Sequence, residues 1–246
     1  MSKPLASRIA LVTGSSRGIG HAVAIALARE GAHVVATART PGGLEELDDA
    51  IKAAGGTATL VPLEMRDYEG IGRLAAALNE RYGKLDILVG NAALGGSSSP
   101  LDHFQPNEWD EVMAVNVTAN WHLIRHMHPL LMRSDAGRVV FLSSNAASNP
   151  RAYRGLYAAS KGALEAMART YANETVNTPI RVNLFAPGPT RTRMRAAVAP
   201  GEDPMTLPPP EAIAEKVVPL CLPGFTETGR IYDYRAGRLN AFRPPA

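Results

Sequence analysis

A single cysteine, Cys221, excludes an intrachain disulfide and a Cys-rich metal cluster, which fits a reducing compartment. That thiol reads as a small buried hydrophobe. No apolar run approaches the roughly 20 residues that a membrane-spanning helix needs, because charge, Gly or Pro interrupts every one. Near the start, Ile9-Ala10-Leu11-Val12 is too short for a signal-peptide core. The chain is therefore expected to begin with its fold, to work in the cytoplasm and to have no membrane partner. A charge excess is missing too: 26 Lys and Arg against 23 Asp and Glu leave +3, scattered along the chain, so nucleic acid is not an expected partner. His122 and His126 stand four apart, but no third ligand follows at workable spacing, and no metal site is expected.

What the chain does have is a regular alternation. Short β-branched runs (Ile9-Ala10-Leu11-Val12, Val34-Val35, Thr59-Leu60-Val61, Ile87-Leu88-Val89, Val139-Val140-Phe141-Leu142, Val182-Asn183-Leu184-Phe185, Ile231-Tyr232) are separated by longer helical patterns. One such helix has Thr40 as N-cap and Pro41 in its first turn, and ends at Gly55-Gly56. Strands that are apolar almost throughout must be covered on both faces. The expected fold is therefore α/β: a single domain over 1–246 with a doubly wound parallel sheet flanked by helices on both sides. Two stretches resist assignment, Gly95 to Pro106 and a substrate-loop region over 187–210, the latter either a lid or a solvent-exposed connection.

The first strand runs into Thr13-Gly14-Ser15-Ser16-Arg17-Gly18-Ile19-Gly20 and then a helical pattern. Gly14 permits a tight turn, Gly18 lets a helix N-terminus approach a pyrophosphate, and Gly20 allows close packing. Ser16, Arg17 and Ile19 complete this candidate dinucleotide loop. An acidic residue normally follows about twenty residues later to hold the ribose diol of NAD. Here the second strand ends at Ala38-Arg39, with no acid until Glu45. Arg39, with Arg17, suits a 2′-phosphate, so NADP(H) is the expected coenzyme and NAD(H) the second choice.

Downstream stand Asn116, Ser144, Tyr157 and Lys161. Tyr157 and Lys161 are four apart in a helical stretch and share a face. A phenol titrates near 10, and a cation beside it favours phenolate. Ser144 follows a strand, where its hydroxyl can donate to a substrate oxygen. Tyr153 is a competing phenol, but the position four residues on is Tyr157, not lysine.

Taken together, the glycine loop, Asn91-Ala92, Asn116, Ser144, the Tyr157 and Lys161 pair and Pro187-Gly188 with Thr192 resemble the short-chain dehydrogenase/reductase family along nearly the whole chain. The resemblance implies a Rossmann-type oxidoreductase moving hydride between NADP(H) and a small carbonyl or alcohol substrate. It implies Tyr157 as general acid/base, Ser144 as carbonyl polariser, Lys161 as tuner of Tyr157 and ribose ligand, and Asn116 as anchor of a water relay. Pro187, Gly188, Thr190 and Thr192 would frame the nicotinamide and phosphate, and Glu64 and Met65 would flank the adenine. A homotetramer or homodimer built on the helices carrying Trp121 and Tyr157 is also implied. The chain departs from the family pattern at Gly90-Asn91-Ala92-Ala93, where Asn-Asn-Ala-Gly is usual, and at Ala236-Gly237, where a glycine pair is usual. A 3-oxoacyl-[acyl-carrier-protein] reductase is the alternative, ranked lower because Asp135 and Thr178 fall where basic docking residues are expected. A non-enzymatic dinucleotide sensor would not need Tyr157, Lys161 and Ser144 together.

Overall fold

The computed structural model describes residues 3–242; residues 1–2 and 243–246 of the expected 1–246 domain lie outside the described residues. Seven strands run parallel: β1 (Ile9–Thr13), β2 (His33–Ala38), β3 (Thr57–Pro62), β4 (Ile87–Gly90), β5 (Arg138–Leu142), β6 (Arg181–Ala186) and β7 (Arg230–Asp233). An eighth, β8 (Arg238–Ala241), pairs antiparallel with β7, and the order across the sheet is β3-β2-β1-β4-β5-β6-β7-β8. The sequence reading missed β8. It is a four-residue edge strand, Arg-Leu-Asn-Ala, whose end residues Arg238 and Ala241 are exposed, and its alternation is too short to stand out.

Alternation within each strand sends side chains to two separate cores. On one face Ile9, Leu11, Leu88, Val139, Phe141 and Leu184 pack with α3 (Tyr68–Tyr82), α5 (Ala119–Leu131) and α6 (Gly155–Glu174). On the other, Ala10, Val12, Val89, Val140, Leu142 and Phe185 meet α1 (Gly18–Arg29), α2 (Pro41–Ala53) and α8 (Pro210–Cys221). This double cover is why the central strands β1, β4 and β5 are buried along their whole length. Cys221 is buried in the second core, where burial pushes its thiol up to about 12. Thr40 does precede α2, but its side chain makes no capping hydrogen bond. The remaining helices are α4 (Pro106–Met113) and the short α7 (Arg193–Val198). The second of these, with a 3-10 turn at Pro204–Thr206, gives part of the 187–210 segment regular structure that its Pro-rich composition concealed.

From β1 the chain winds outward through β2 to β3, then returns to place β4 on the other side of β1. The carboxyl ends of β1 and β4 thus flank a topological switch point, where open α/β sheets bind ligands.

At the opposite, amino-terminal edge, the fully buried Asp86 accepts from the Ile9 amide at 2.9 Å, Ser134 Oγ at 2.6 Å, Arg8 at 3.0 Å and Lys84 at 3.0 Å. Burial alone would raise the pKa of this carboxyl, but those four donors hold it below the usual aspartate value. The folded chain therefore binds its proton less readily than the unfolded chain, so the contribution is complete above about pH 4 and is lost as pH falls through the folded value. Asp86→Ala is expected to cost about 3 kcal/mol, read as a lower denaturant midpoint at pH 7, with a smaller difference from wild type in acid. An unchanged midpoint at pH 7 would show that the cluster contributes nothing.

Candidate active site

The turn after β1 is shaped by glycine and clipped by asparagine. Gly14 has φ +65°, and a Cβ there would lie 2.8 Å from Ala92 Cα, so only glycine fits. Asn91 Nδ2 donates to the Thr13 and Gly14 carbonyls at 2.9 and 3.1 Å, while Thr13 Oγ1 accepts from the Asn91 and Ala92 amides. A Cβ on Gly20 would lie 2.3 Å from Asn91 Nδ2 and 2.5 Å from the Gly14 carbonyl. Its lack of a side chain therefore makes room for this clip between β1 and β4. Ala93 has no positive φ, so the place of the usual glycine is filled without backbone strain.

Beyond this turn a cavity of about 1060 Å³ runs along the carboxyl edge of the sheet. Gly14, Ser16, Arg17, Gly18 and Ile19 line its β1 end, joined by Arg39 after β2 and by Glu64 and Met65 after β3. Asn91 and Ala92 form its middle, and Ser144, Tyr157, Lys161, Pro187, Gly188, Thr190 and Thr192 its far end. Two expected site residues, Gly20 and Asn116, do not line it. Gly20 lies behind Asn91, and Asn116 is fully buried in a π turn, Ala114–Thr118, between α4 and α5. The Asn116 side chain accepts from the Leu94 amide at 2.8 Å and donates to the Leu94 carbonyl at 2.9 Å and to Ser160 Oγ at 3.0 Å. It thus braces the loop after β4 against α6.

Tyr157 and Lys161 sit one turn apart near the start of α6, and Ser144 follows β5. Burial raises the Tyr157 pKa, while a hydrogen bond with Ser144 and the Arg154 guanidinium pull it back. Arg154 Cζ lies 5.3 Å from the centre of the Tyr157 ring. Lys161 Nζ lies 5.8 Å from that centre and donates to the Leu142 carbonyl at 2.7 Å. Its side chain is buried, which lowers its pKa to about 8, while Glu165 opposes the shift. Two cations therefore stand over the phenol, Lys161, which the sequence points to, and Arg154, which it does not. Arg154 stands three residues before Tyr157 in the turn leading into α6. Nothing in the sequence sets it apart from a surface arginine at that spacing. Glu165, one turn beyond Lys161 and bonded by Ser143 Oγ at 2.5 Å, was missed as well; a buried carboxylate cannot be told from a surface one by spacing alone.

At the adenosine end two of the expected coenzyme residues meet each other. Glu64 pairs with Arg39 at 3.4 Å and accepts from the Arg66 amide at 3.4 Å, so its carboxylate faces cations. Thr192 caps α7 by accepting from the Arg195 amide at 3.2 Å. Tyr153 is exposed with φ +67°, and Tyr171 is buried against His128 at 2.9 Å.

A family model described as short chain dehydrogenase matches residues 8–203. The chain belongs to this family. Among its relatives, the uncharacterized oxidoreductase YciK of Escherichia coli is 38% identical over 242 residues, 95% of this chain and 94% of that one. A short chain dehydrogenase from Shigella flexneri, solved in complex with NADP, superposes with a TM-score of 0.91 at 36% identity, covering 96% of this chain and 100% of that one. Another from Escherichia coli, complexed with NADPH, gives 0.88 at 37% identity over 95% and 98%. Members of this short chain dehydrogenase family are oxidoreductases acting on CH–OH groups, and this chain is one of them. No helix among the described residues is long and apolar enough to cross a membrane.

The cavity fits a dinucleotide. Its β1 end is a glycine cradle, Gly14 seated tightly against Ala92 and Gly18 opposite Thr192, with the N-terminus of α1 beside it. The half-exposed Arg39 and the neighbouring Arg17 supply positive charge there.

Proposed function

We propose that the chain interconverts a carbonyl and an alcohol with NADP(H), using Tyr157 as the group that gives and takes the proton. The observation that supports this reading is one continuous cavity, joining the glycine cradle and Arg39 to Ser144, Tyr157 and Lys161. Bound at the cradle, the nicotinamide dinucleotide supplies or accepts the hydride. Arg17 and Arg39 hold its adenosine phosphates, and Pro187, Gly188, Thr190 and Thr192 bound the nicotinamide end. Met65 and Glu64 border the adenine end, with Glu64 restrained by Arg39.

In the reducing direction Ser144 donates to the substrate oxygen and Tyr157 transfers its phenolic proton to that oxygen as the alcohol forms. In the oxidising direction the phenolate takes the same proton back. Burial raises the phenol pKa, so Tyr157 keeps its proton near neutral pH, the form from which the reducing direction draws. Lys161, anchored on the Leu142 carbonyl, keeps further N–H donors for a ribose hydroxyl. Asn116 is a positioning residue that holds the Leu94 loop and α6 together.

Residues 1–246 act as one unit in this proposal, with 187–210 as its substrate-loop region. The carrier-protein alternative gains nothing from the surface: Asp135 is bonded by Arg8 and Thr178 Oγ1 donates to the Thr175 carbonyl, so neither offers a cation. The direct test is NADPH oxidation by the purified chain across ketones, aldehydes, quinones, sugars and 3-oxoacyl thioesters. Turnover of at least one class, lost in Tyr157→Phe, is expected. Silence across every class, in both directions, would remove the proposal.

A further inference from the structure

The half of the cavity beyond Tyr157 is bounded by basic side chains. Arg151 and Arg154 come from the segment between β5 and α6, Arg191, Arg193 and Arg195 from the start of α7 and the turn before it, and Arg235 from the turn after β7. Glu64 is the only carboxylate among the lining residues, and it follows β3, which three strands separate from β5. Arg195 is neutralised by Glu202 through bonds of 2.5 and 2.8 Å. Among the described residues the other five arginines pair with no carboxylate.

Of these, Arg154 is best placed. Its guanidinium is half-buried over the Tyr157 ring and, among the described residues, donates only to the Gly95 carbonyl at 3.0 Å and Ser98 Oγ at 3.4 Å. Five N–H donors belong to a guanidinium, so donors are left over toward the cavity. The preceding residue, Tyr153, is held at φ +67°, a costly conformation for a tyrosine, while its carbonyl accepts from the Ser99 amide at 3.1 Å. A cation drawn out of water without a counter-charge is unfavourable, and its lowered pKa has burial as the main cause. An anion in the cavity would supply the missing partner, with bidentate geometry.

We propose that the substrate carries an anionic group, carboxylate or phosphate, which Arg154 binds while the carbonyl carbon of the same molecule lies at Ser144 and Tyr157. This rests on the oxidoreductase reading above and adds the substrate's charge to it. The neighbouring arginines raise the local concentration of such a substrate by their field.

The experiment uses matched pairs with the purified, NADPH-saturated chain: 4-oxopentanoate against its methyl ester, 2-oxobutanoate against its methyl ester, and dihydroxyacetone phosphate against dihydroxyacetone. Carboxylate and phosphate are thereby separated. For at least one pair, kcat/KM is expected to favour the anion by about ten- to hundredfold. Arg154→Met should bring that ratio close to one, and Arg154→Lys should restore part of it. The phenol serves both members of a pair equally, so any effect of Arg154 on Tyr157 cancels in the ratio. Calorimetric binding of the same anions to NADPH-loaded Tyr157→Phe supplies a readout without turnover. Equal kcat/KM within every pair, or a ratio that Arg154→Met leaves unchanged, would overturn the inference. If nothing is reduced but the anions bind in an Arg154-dependent way, the anion site stands and the oxidoreductase reading fails; if they neither react nor bind, both fall.

Discussion

Tyr157→Phe is expected to bind NADPH as wild type does and to lose about 10²- to 10⁴-fold in turnover, the usual contribution of a positioned general acid. The substitution removes one hydroxyl from a partly buried ring and leaves the glycine cradle untouched, so binding and chemistry should separate. Lys161→Ala should impair both, because its ammonium is anchored at the cavity floor by the Leu142 carbonyl and borders the phenol and the coenzyme's end together. The pH profile follows from the same groups. Burial raises the Tyr157 pKa, so its proton is retained through neutral pH, whereas Lys161, lowered to about 8, loses its charge above that pH. Wild-type kcat/KM for reduction is therefore expected to be level in the neutral range and to fall as pH rises past about 8. Coenzyme affinity by NADPH fluorescence and turnover by NADPH oxidation, measured on both variants, check the separation. Near-native turnover in Tyr157→Phe would mean that another group delivers the proton.

Much of this architecture was legible in the chain because parallel strands covered on both faces have a distinctive pattern. Runs such as Val139 to Leu142 have no polar alternation, and the residues beyond them, Ser144 here, fall at the edge where ligands bind. Gly14, Gly18, Tyr157 and Lys161 were legible for a related reason: their spacing is fixed by a turn or a helix within a few residues. What escaped depends on contacts that spacing does not encode. Arg154 was indistinguishable from a surface arginine until the turn before α6 laid it across Tyr157. Glu165 has the look of an ordinary helix-surface acid, yet it lies buried against Ser143. Asn116 was named only as the anchor of a water relay; its hydrogen bonds to Leu94 and Ser160, which tie the loop after β4 to α6, carry no sequence signal. The strand β8 has no core face of its own, and α7 is hidden in a segment dominated by Pro and Arg.

Coenzyme choice is the point at which one side chain should have the largest effect on binding. Arg39 follows β2 at the place where an acid would repel a 2′-phosphate. Its guanidinium is half exposed, and its only ionic partner among the described residues is Glu64 at 3.4 Å. An exposed ion pair of this kind contributes about 0–1 kcal/mol, whereas a charge-assisted bond to a phosphate is worth about 1.5–3 kcal/mol, so the phosphate should displace Glu64. Arg39→Ala is then expected to reduce the preference for NADPH over NADH by about ten- to hundredfold, mostly through KM and Kd for NADPH. Glu64 reinforces the loss, since without Arg39 its carboxylate would face the phosphate with one counter-charge fewer. NADH has no 2′-phosphate to lose, and its kinetics should scarcely move. Ala38→Asp should go further, because this last residue of β2 lines the cavity and an acid there both repels the phosphate and accepts from a ribose diol. Dissociation constants for both coenzymes by fluorescence, with kcat/KM on one fixed substrate, decide the matter. A wild type that prefers NADH, or an Arg39→Ala variant weakened equally toward both coenzymes, would leave Arg39 as a surface charge whose partner is Glu64 alone.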